Sequence, residues 1–146
     1  MSRYKIIVTY DGTNFEGWQI QDNSRTIQGD LEDALKIINN NKSIKIFGSG
    51  RTDSGVHAIA QVAHFDFDFE ERSKFDLKNA INGNLPEEIR ITNCEVVSSN
   101  FHARFSALSR SYEYRVRTND NIFDKNYTWK VGKMNLKLLN ELASMI

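Results

Sequence analysis

The chain has 146 residues, 40% of them hydrophobic and 26% charged, which is the length and composition of one globular domain. Its 19 basic and 19 acidic residues balance, so the net charge alone neither requires nor excludes a nucleic-acid partner. The single cysteine, Cys94, excludes an intrachain disulfide and a cysteine-based metal site, and apolar runs as short as residues 5–8 exclude a membrane-spanning helix.

The first half of the chain predicts a strand, a helix and a second strand. Residues 4–10 are rich in β-branched and aromatic side chains and end at the turn signal Asp11-Gly12. Thr26 is placed to cap a helix whose apolar positions recur at the helical period and that ends at residues 39–41, all asparagine. Residues 44–47 read as a short strand, which the run Gly48-Ser49-Gly50 interrupts.

The second half predicts a strand, a helix and further strands. Residues 61–69 alternate, with Ala63, Phe65, Phe67 and Phe69 on one face, as a half-buried antiparallel strand requires. Residues 75–81 read as a helix, 89–97 and 111–117 as strands, and 135–146 as a leucine-rich helix. The order predicts an α+β, ferredoxin-like fold, in which a split βαβ unit forms an antiparallel sheet with helices on one face.

The run Gly48-Ser49-Gly50-Arg51-Thr52-Asp53-Ser54-Gly55-Val56-His57 joins two predicted strands and carries the densest set of reactive groups. Its three glycines permit close approach of the backbone to a neighbouring segment or a ligand. A tight turn in which Arg51 pairs with Asp53 is the simple structural interpretation, and a catalytic carboxylate is the functional one. The run lacks the Gly-Lys-Ser/Thr ending of a P-loop.

Two other segments have the composition of an RNA contact surface. Phe101-His102-Ala103-Arg104-Phe105-Ser106-Ala107 precedes Arg110-Ser111-Tyr112-Glu113-Tyr114, so arginines stand beside aromatic rings. Guanidinium groups pair with phosphates and bases stack on rings, although Tyr114 is equally suited to core packing. Residues 10–21 form an aromatic, glycine-containing loop in which Trp18 is expected to close the core.

No cofactor or metal is expected from these residues. The three histidines, His57, His64 and His102, have neither the helical spacing nor the clustering typical of metal ligands. Residues 1–5 lead directly into a strand without the apolar region of a signal peptide, which predicts a cytoplasmic protein.

Five ordered motifs resemble the TruA family of tRNA pseudouridine synthases. They lie at residues 10–19, 26–28, 50–57, 84–86 and 101–114, and so cover most of the chain. The string Arg51-Thr52-Asp53-Ser54-Gly55-Val56-His57 is the most specific of them. The resemblance implies an isomerase that converts uridine to pseudouridine in the anticodon stem-loop of tRNA, at about positions 38 to 40, by extruding the base.

The resemblance also assigns roles to individual residues. Asp53 falls on the essential aspartate of the family, and Arg51 on the arginine that takes the place of the extruded base. Tyr112 falls on the tyrosine that stacks on the target uracil. Arg104 and Arg110 are implied to contact the tRNA backbone or to organise the site. Whether the carboxylate attacks covalently or removes a ribose proton to give a glycal stays open.

The family works as a homodimer on tRNA without cofactor or metal, and its members have two similar α+β halves. The 146 residues correspond to the N-terminal half that carries the aspartate, and we expect a truncated chain that lacks the C-terminal half. That half supplies a further arginine and the apolar roof of the pocket, so the fragment alone is expected to be inactive. A non-catalytic ferredoxin-like RNA-binding module is the alternative interpretation.

Overall fold

Residues 1–68 and 76–145 are described by the computed structural model, and they divide into two units, Met1–Leu108 and Ser109–Ile146. Phe69, Phe75 and Ile146, which the sequence placed in a strand and two helices, lie outside the described residues. The elements of the first unit follow one another as β1 (Ser2–Tyr10), α1 (Ile27–Ile38), β2 (Phe47–Gly48), β3 (Ala58–Phe67), α2 (Leu77–Asn82) and β4 (Ile89–Val97).

The strands pair in the spatial order β2-β3-β1-β4, and every pairing is antiparallel. A hairpin-like connection places β3 between β2 and β1, so the βαβ crossover through α1 is split by an inserted strand. The chain order and the sheet order together confirm the predicted ferredoxin-like α+β fold.

Alternation along the central strands separates a core face from an open face. Ile6 and Val8 of β1 and Ala63 and Phe65 of β3 are fully buried, as the alternating pattern predicts. They pack in one cluster with apolar residues of both helices: Ile27, Leu31, Ala34, Leu35, Leu77 and Ile81. The helices therefore cover the same face of the sheet.

Side-chain caps fix where α1 and α2 begin, and left-handed asparagines follow the end of α1. Thr26 Oγ1 accepts a hydrogen bond from Gly29 N at 3.2 Å, which confirms the predicted cap of α1. At the other end Asn40 and Asn41 adopt left-handed φ values of 51° and 63°, so the asparagines terminate this helix. Asp76 caps α2 by accepting from Lys78 N at 3.0 Å, and α2 begins at Leu77.

The starts of β2 and β3 differ from the prediction. Residues 44–46 are buried at Ile44 and Ile46 but lie outside β2, because Ile46 N donates at 3.0 Å to Glu32 Oε1 of α1 and not to a strand. Buried apolar residues in an unpaired segment give the same sequence pattern as a short strand. The next strand, β3, begins at Ala58, three residues earlier than the alternation at residue 61 indicated.

The second unit has short elements. β5 (Val116–Arg117) pairs in parallel with β6 (Trp129–Lys130), a 3₁₀ turn spans Ile122–Asp124, and α3 covers Leu136–Ala143. The predicted strand at residues 111–117 was therefore too long, and Tyr112 and Tyr114 are exposed. Among the described residues β6 is the one strand that pairs with β5, and its hydrogen bonds reach back only as far as Arg115 O, which accepts from Trp129 N at 2.8 Å. None of the helices described is both long and apolar enough to cross a membrane.

Candidate active site

Loop 49–57, which carries Asp53, is joined to loop 11–18 by hydrogen bonds along its length. Trp18 N donates to Thr52 O at 3.0 Å, and Gly55 N donates to Phe15 O at 3.1 Å. The Tyr10 hydroxyl lies 2.9 Å from Thr52 Oγ1 at the base of the pair. These bonds satisfy backbone groups on both sides of Asp53, so the bend is held from both directions.

Glycines make this close contact between the loops possible. A Cβ atom on Gly12 would lie 2.0 Å from Val56 O, and one on Gly17 would lie 2.5 Å from Thr52 O. Gly17 also has a left-handed φ of 85°, which disfavours any other residue. The glycines of the first loop are therefore required by the approach of the second.

Histidine and tryptophan side chains complete the junction. His57 Nδ1 lies 3.1 Å from Gly12 N, whose hydrogen bond it accepts, and 3.0 Å from Asp11 Oδ1. Trp18 is buried as predicted, and its ring lies 2.7 Å from the position of a Cβ on Gly48. Both ends of the Asp53 bend are thus packed against loop 11–18.

The strand ends that lead into the loops are irregular. The register between β1 and β3 shifts between Val8 and Tyr10, and the register between β1 and β4 shifts between Ile7 and Val8. Such bulges increase local twist and redirect the chain at the edges of binding sites. Ser49 Oγ donates to Gln61 Oε1 at 2.9 Å, and Gln61 Nε2 donates to Gly50 O at 2.6 Å, which fixes the start of the second loop.

Arg51 and Asp53 lie two positions apart on this bend, and both side chains are exposed. Within residues 1–68 and 76–145 neither side chain makes an ion pair or a hydrogen bond, so the Arg51 to Asp53 pair of the simple structural interpretation is not formed. A carboxylate and a guanidinium on a rigid bend, both facing solvent, are available to an external substrate.

The other predicted site residues lie elsewhere in the chain. Arg104 is exposed on loop 99–106 of the first unit. Arg110 and Tyr112 belong to the second unit, and both are exposed there. In the part of the chain that is described, no three histidine, cysteine, aspartate or glutamate side chains are grouped closely enough to hold a metal ion.

Two residues around loop 99–106 were missed by sequence reasoning. Arg3 donates from Nε and Nη2 to both Asp66 carboxylate oxygens at 2.7 Å and from Nη1 to the carbonyls of Ser99 and Phe101. His64, which the alternation placed on the solvent side, is buried under this loop. The Arg3 to Asp66 bond also lowers the pKa of the Asp66 carboxyl.

A family model described as tRNA pseudouridine synthase matches residues 6–106. That range contains both joined loops together with Arg51, Asp53 and Arg104, and it ends before Arg110 and Tyr112.

Relatives named tRNA pseudouridine synthase A match nearly the whole chain. The chain is 43% identical to the protein of Maridesulfovibrio salexigens over 144 residues, which is 97% of the chain and 52% of the relative. It is 45% identical to that of Thermosipho melanesiensis over 145 residues, 98% of the chain and 59% of the relative. It is 47% identical to that of Limosilactobacillus reuteri over 132 residues, 88% and 51% respectively. The chain thus spans about half the length of the curated relatives it matches.

Proposed function

The chain belongs to the tRNA pseudouridine synthase family, and from this premise we propose that the full-length protein isomerises uridine to pseudouridine in the anticodon stem-loop of tRNA. The observation that carries the proposal is the bend at residues 49–57, which loop 11–18 holds rigid while Asp53 points to solvent. A structural turn has no need to leave a carboxylate unpartnered on a bend held from both sides. A catalytic bend has that need, because its carboxylate must reach a substrate.

The reaction fits a site with one carboxylate and no cofactor. The N1–C1′ bond of uridine breaks, the uracil turns, a C5–C1′ bond forms, and the proton on C5 is lost while N1 gains one. Nothing is oxidised and no group leaves, so the steps need a nucleophile or base beside the ribose and a pocket that retains the free uracil. We assign to Asp53 the role of the nucleophile or base beside the ribose.

The remaining roles follow from the chemistry of each side chain. Arg51, on the same bend, fills the gap that the extruded base leaves and adds positive charge beside the Asp53 carboxylate. Tyr112 offers an aromatic face to the turning uracil. Arg104 and Arg110 neutralise phosphates of the tRNA backbone.

Around this site we propose the organisation of a two-half enzyme. Residues 1–146 form the half that carries the aspartate, and the second half contributes the additional arginine and the apolar roof. The full-length protein acts as a cytoplasmic homodimer on tRNA and uses no cofactor. Gel filtration of the full-length protein with light scattering will give its oligomeric state directly.

The proposal is tested by incubating the full-length protein with an anticodon-arm transcript that contains uridines at about positions 38 to 40. We expect pseudouridine at one or more of these uridines and no change in a transcript with cytidines there. Tight binding of the transcript without any conversion would favour the non-catalytic RNA-binding module.

Replacing Arg51 by Ala is expected to lower the rate of isomerisation by about 10- to 100-fold, because one charge-assisted contact beside the reacting nucleotide is lost. Arg51→Lys keeps the charge without the planar fork and should recover only part of the rate. Single-turnover rates on the anticodon-arm transcript measure both variants. The melting temperature should stay unchanged, since Arg51 makes no ion pair or hydrogen bond within the described structure.

Substitutions of Tyr112 separate its ring from its hydroxyl. Tyr112→Ala is expected to lower the single-turnover rate by about 10- to 100-fold, since the stacking surface for one base is lost. Tyr112→Phe keeps that surface and should cost about threefold or less. Equal losses in the two variants would assign the role to the hydroxyl, and no loss in either would remove Tyr112 from the site.

A further inference from the structure

Loop 99–106, which carries Arg104, is held against the open face of the sheet by side chains of β1 and β3. Arg3 Nη1 donates to Ser99 O at 2.6 Å and to Phe101 O at 2.9 Å, while the rest of the guanidinium binds Asp66 on β3. One arginine therefore ties two strands to the start of the loop. This clamp ends at Phe101, three residues before Arg104.

His64 holds Ala103, the residue directly before Arg104. Its ring is 2% exposed, and its Nδ1 atom accepts a hydrogen bond from Ala103 N at 3.1 Å. The ring is enclosed by aromatic neighbours, with the His102 ring centroid at 4.6 Å and that of Phe47 at 5.2 Å. Ala103 is equally buried, so the hydrogen bond is shielded from water.

The bond exists only while the imidazole is neutral. Accepting at Nδ1 requires the proton to sit on Nε2, and a second proton would place an N–H group against the Ala103 amide. Burial lowers the pKa of His64, and His102 and Arg3 lower it further. Asp66 and a backbone hydrogen bond at Phe47 act in the opposite direction, but the net shift is downward.

Charged and titratable groups face the ring from each packed element. Arg3 and the register partner Lys5 lie on β1, Asp66 lies on β3, and His102 lies on the loop. Lys5 is paired with Glu95 of β4. The cationic neighbours disfavour an imidazolium, so the neutral form is the one that this site holds.

Hydrogen bonds within the loop extend the constraint on Ala103 to Arg104. Ser106 N donates to His102 O at 2.8 Å, and Arg104 N donates to His102 Nδ1 at 3.3 Å, so residues 102–106 form a closed turn. Because Ala103 precedes Arg104 directly, the position of the Ala103 amide sets the position of the Arg104 backbone. β3 itself begins at Ala58, immediately after the bend with Asp53.

We propose that His64 is a positioning residue, whose neutral imidazole holds the Ala103 amide and thereby aims Arg104 at a phosphate of the bound RNA. The inference rests on the proposed function for the RNA and for the contact of Arg104 with its phosphate. The hydrogen bond joins Ala103, the residue before Arg104, to β3, which also leads out of the Asp53 bend, so the same strand positions both loops.

Two isosteric substitutions test the hydrogen bond without any RNA. His64→Asn places its amide oxygen where Nδ1 lies and keeps an acceptor for Ala103 N, whereas His64→Gln places its amide near the Nε2 position. Amide hydrogen exchange at Ala103 in this chain is the measurement. We expect exchange about five- to tenfold faster in His64→Gln and close to the original rate in His64→Asn. Equal exchange at Ala103 in all three proteins would overturn the anchor.

The effect on Arg104 is tested with the full-length protein and an anticodon-arm RNA. His64→Gln is expected to weaken binding about fivefold, and His64→Asn to leave it unchanged. In an Arg104→Ala background His64→Gln should cause no further loss, because the two residues act through one contact. Additive losses would mean that His64 acts on the fold in general and would overturn the positioning role.

A pH profile gives a readout that a merely structural residue would not move. The stability contributed by the anchor should be complete above the ordinary histidine pKa of 6.5 and decline as the pH falls below it, because the unfolded imidazole then takes up a proton first. The affinity contributed by the anchor should be lost only as the pH falls through the lower pKa that His64 has in the folded protein. The decline specific to the unsubstituted protein should be absent in His64→Asn. Absence of RNA binding by the unsubstituted protein would overturn the proposed function together with the RNA part of this inference. Binding that neither His64 variant changes would overturn the positioning role alone.

Discussion

Asp53→Asn is expected to reduce pseudouridine formation by the full-length protein more than about a thousandfold, the largest loss that any single substitution should produce. The amide has nearly the shape of the carboxylate but can neither attack the sugar nor take its proton. Single-turnover release of tritium from C5 of uridine in an anticodon-arm transcript measures the loss. Binding of the same transcript should change by less than about threefold, since the bend that presents the side chain is unaltered.

The Asp53→Asn substitution should leave the stability of the fold unchanged. The Asp53 side chain is exposed and has no ion pair or hydrogen bond in the described ranges, so the melting temperature should stay within about 1 °C. Asp33→Asn is the matched control, because Asp33 is an exposed aspartate on α1, on the side of the sheet that the helices cover. It should retain full activity. Residual activity of Asp53→Asn above about a thousandth of normal would contradict the catalytic assignment.

Elements with strong local periodicity could be predicted from the sequence. The alternation through Ala63, Phe65 and Phe67 identified the buried face of β3, and the helical period after Thr26 identified α1. In each case the signal lies within a dozen neighbouring residues. Trp18 was also predicted correctly, since a large aromatic side chain in a glycine-containing loop finds its burial in the adjacent core.

Features that depend on distant segments could not be predicted. His64 sits in the polar half of the alternation, and nothing near it indicates that a loop some forty residues later covers its ring. The strand expected at residues 111–117 was too long for a related reason, because the extent of a strand is set by its partner and not by its own side chains. Ile46 gave a false strand signal because Glu32 satisfies its amide.

In the candidate site, too, local features could be predicted and contacts between distant segments could not. Residue types and the resemblance identified Asp53, Arg51, Tyr112, Arg104 and Arg110, whose catalytic and RNA-binding roles stay predictions. What the sequence could not supply was the reason for the rigid bend, namely that Gly12 and Gly17 admit the backbone of loop 49–57. A glycine in a sequence indicates that another segment can approach the backbone closely, but it does not indicate which segment does so.

Gly12→Ala tests that close approach and should produce the largest loss of stability among single-methyl additions to the site. The new Cβ would lie 2.0 Å from Val56 O, a backbone atom, so the loop of Asp53 must move. We expect a loss of about 3 kcal/mol in the free energy of unfolding. Isomerisation should fall at least about a hundredfold, because a displacement of about 1 Å at a catalytic group costs that much.

Gly83→Ala is the control for adding a methyl group to a glycine. Gly83 is exposed with φ −68° and ψ −16°, and its added Cβ would meet only the carbonyls of Asn79 and Ala80 at 3.4 and 3.6 Å. Its free energy of unfolding should stay the same or rise by about 0.5 kcal/mol, since the unfolded chain loses conformational freedom. Urea unfolding of both variants gives the comparison. A Gly12→Ala protein as stable and active as Gly83→Ala would show that the two loops tolerate separation, and that the Asp53 bend is not held by their contact.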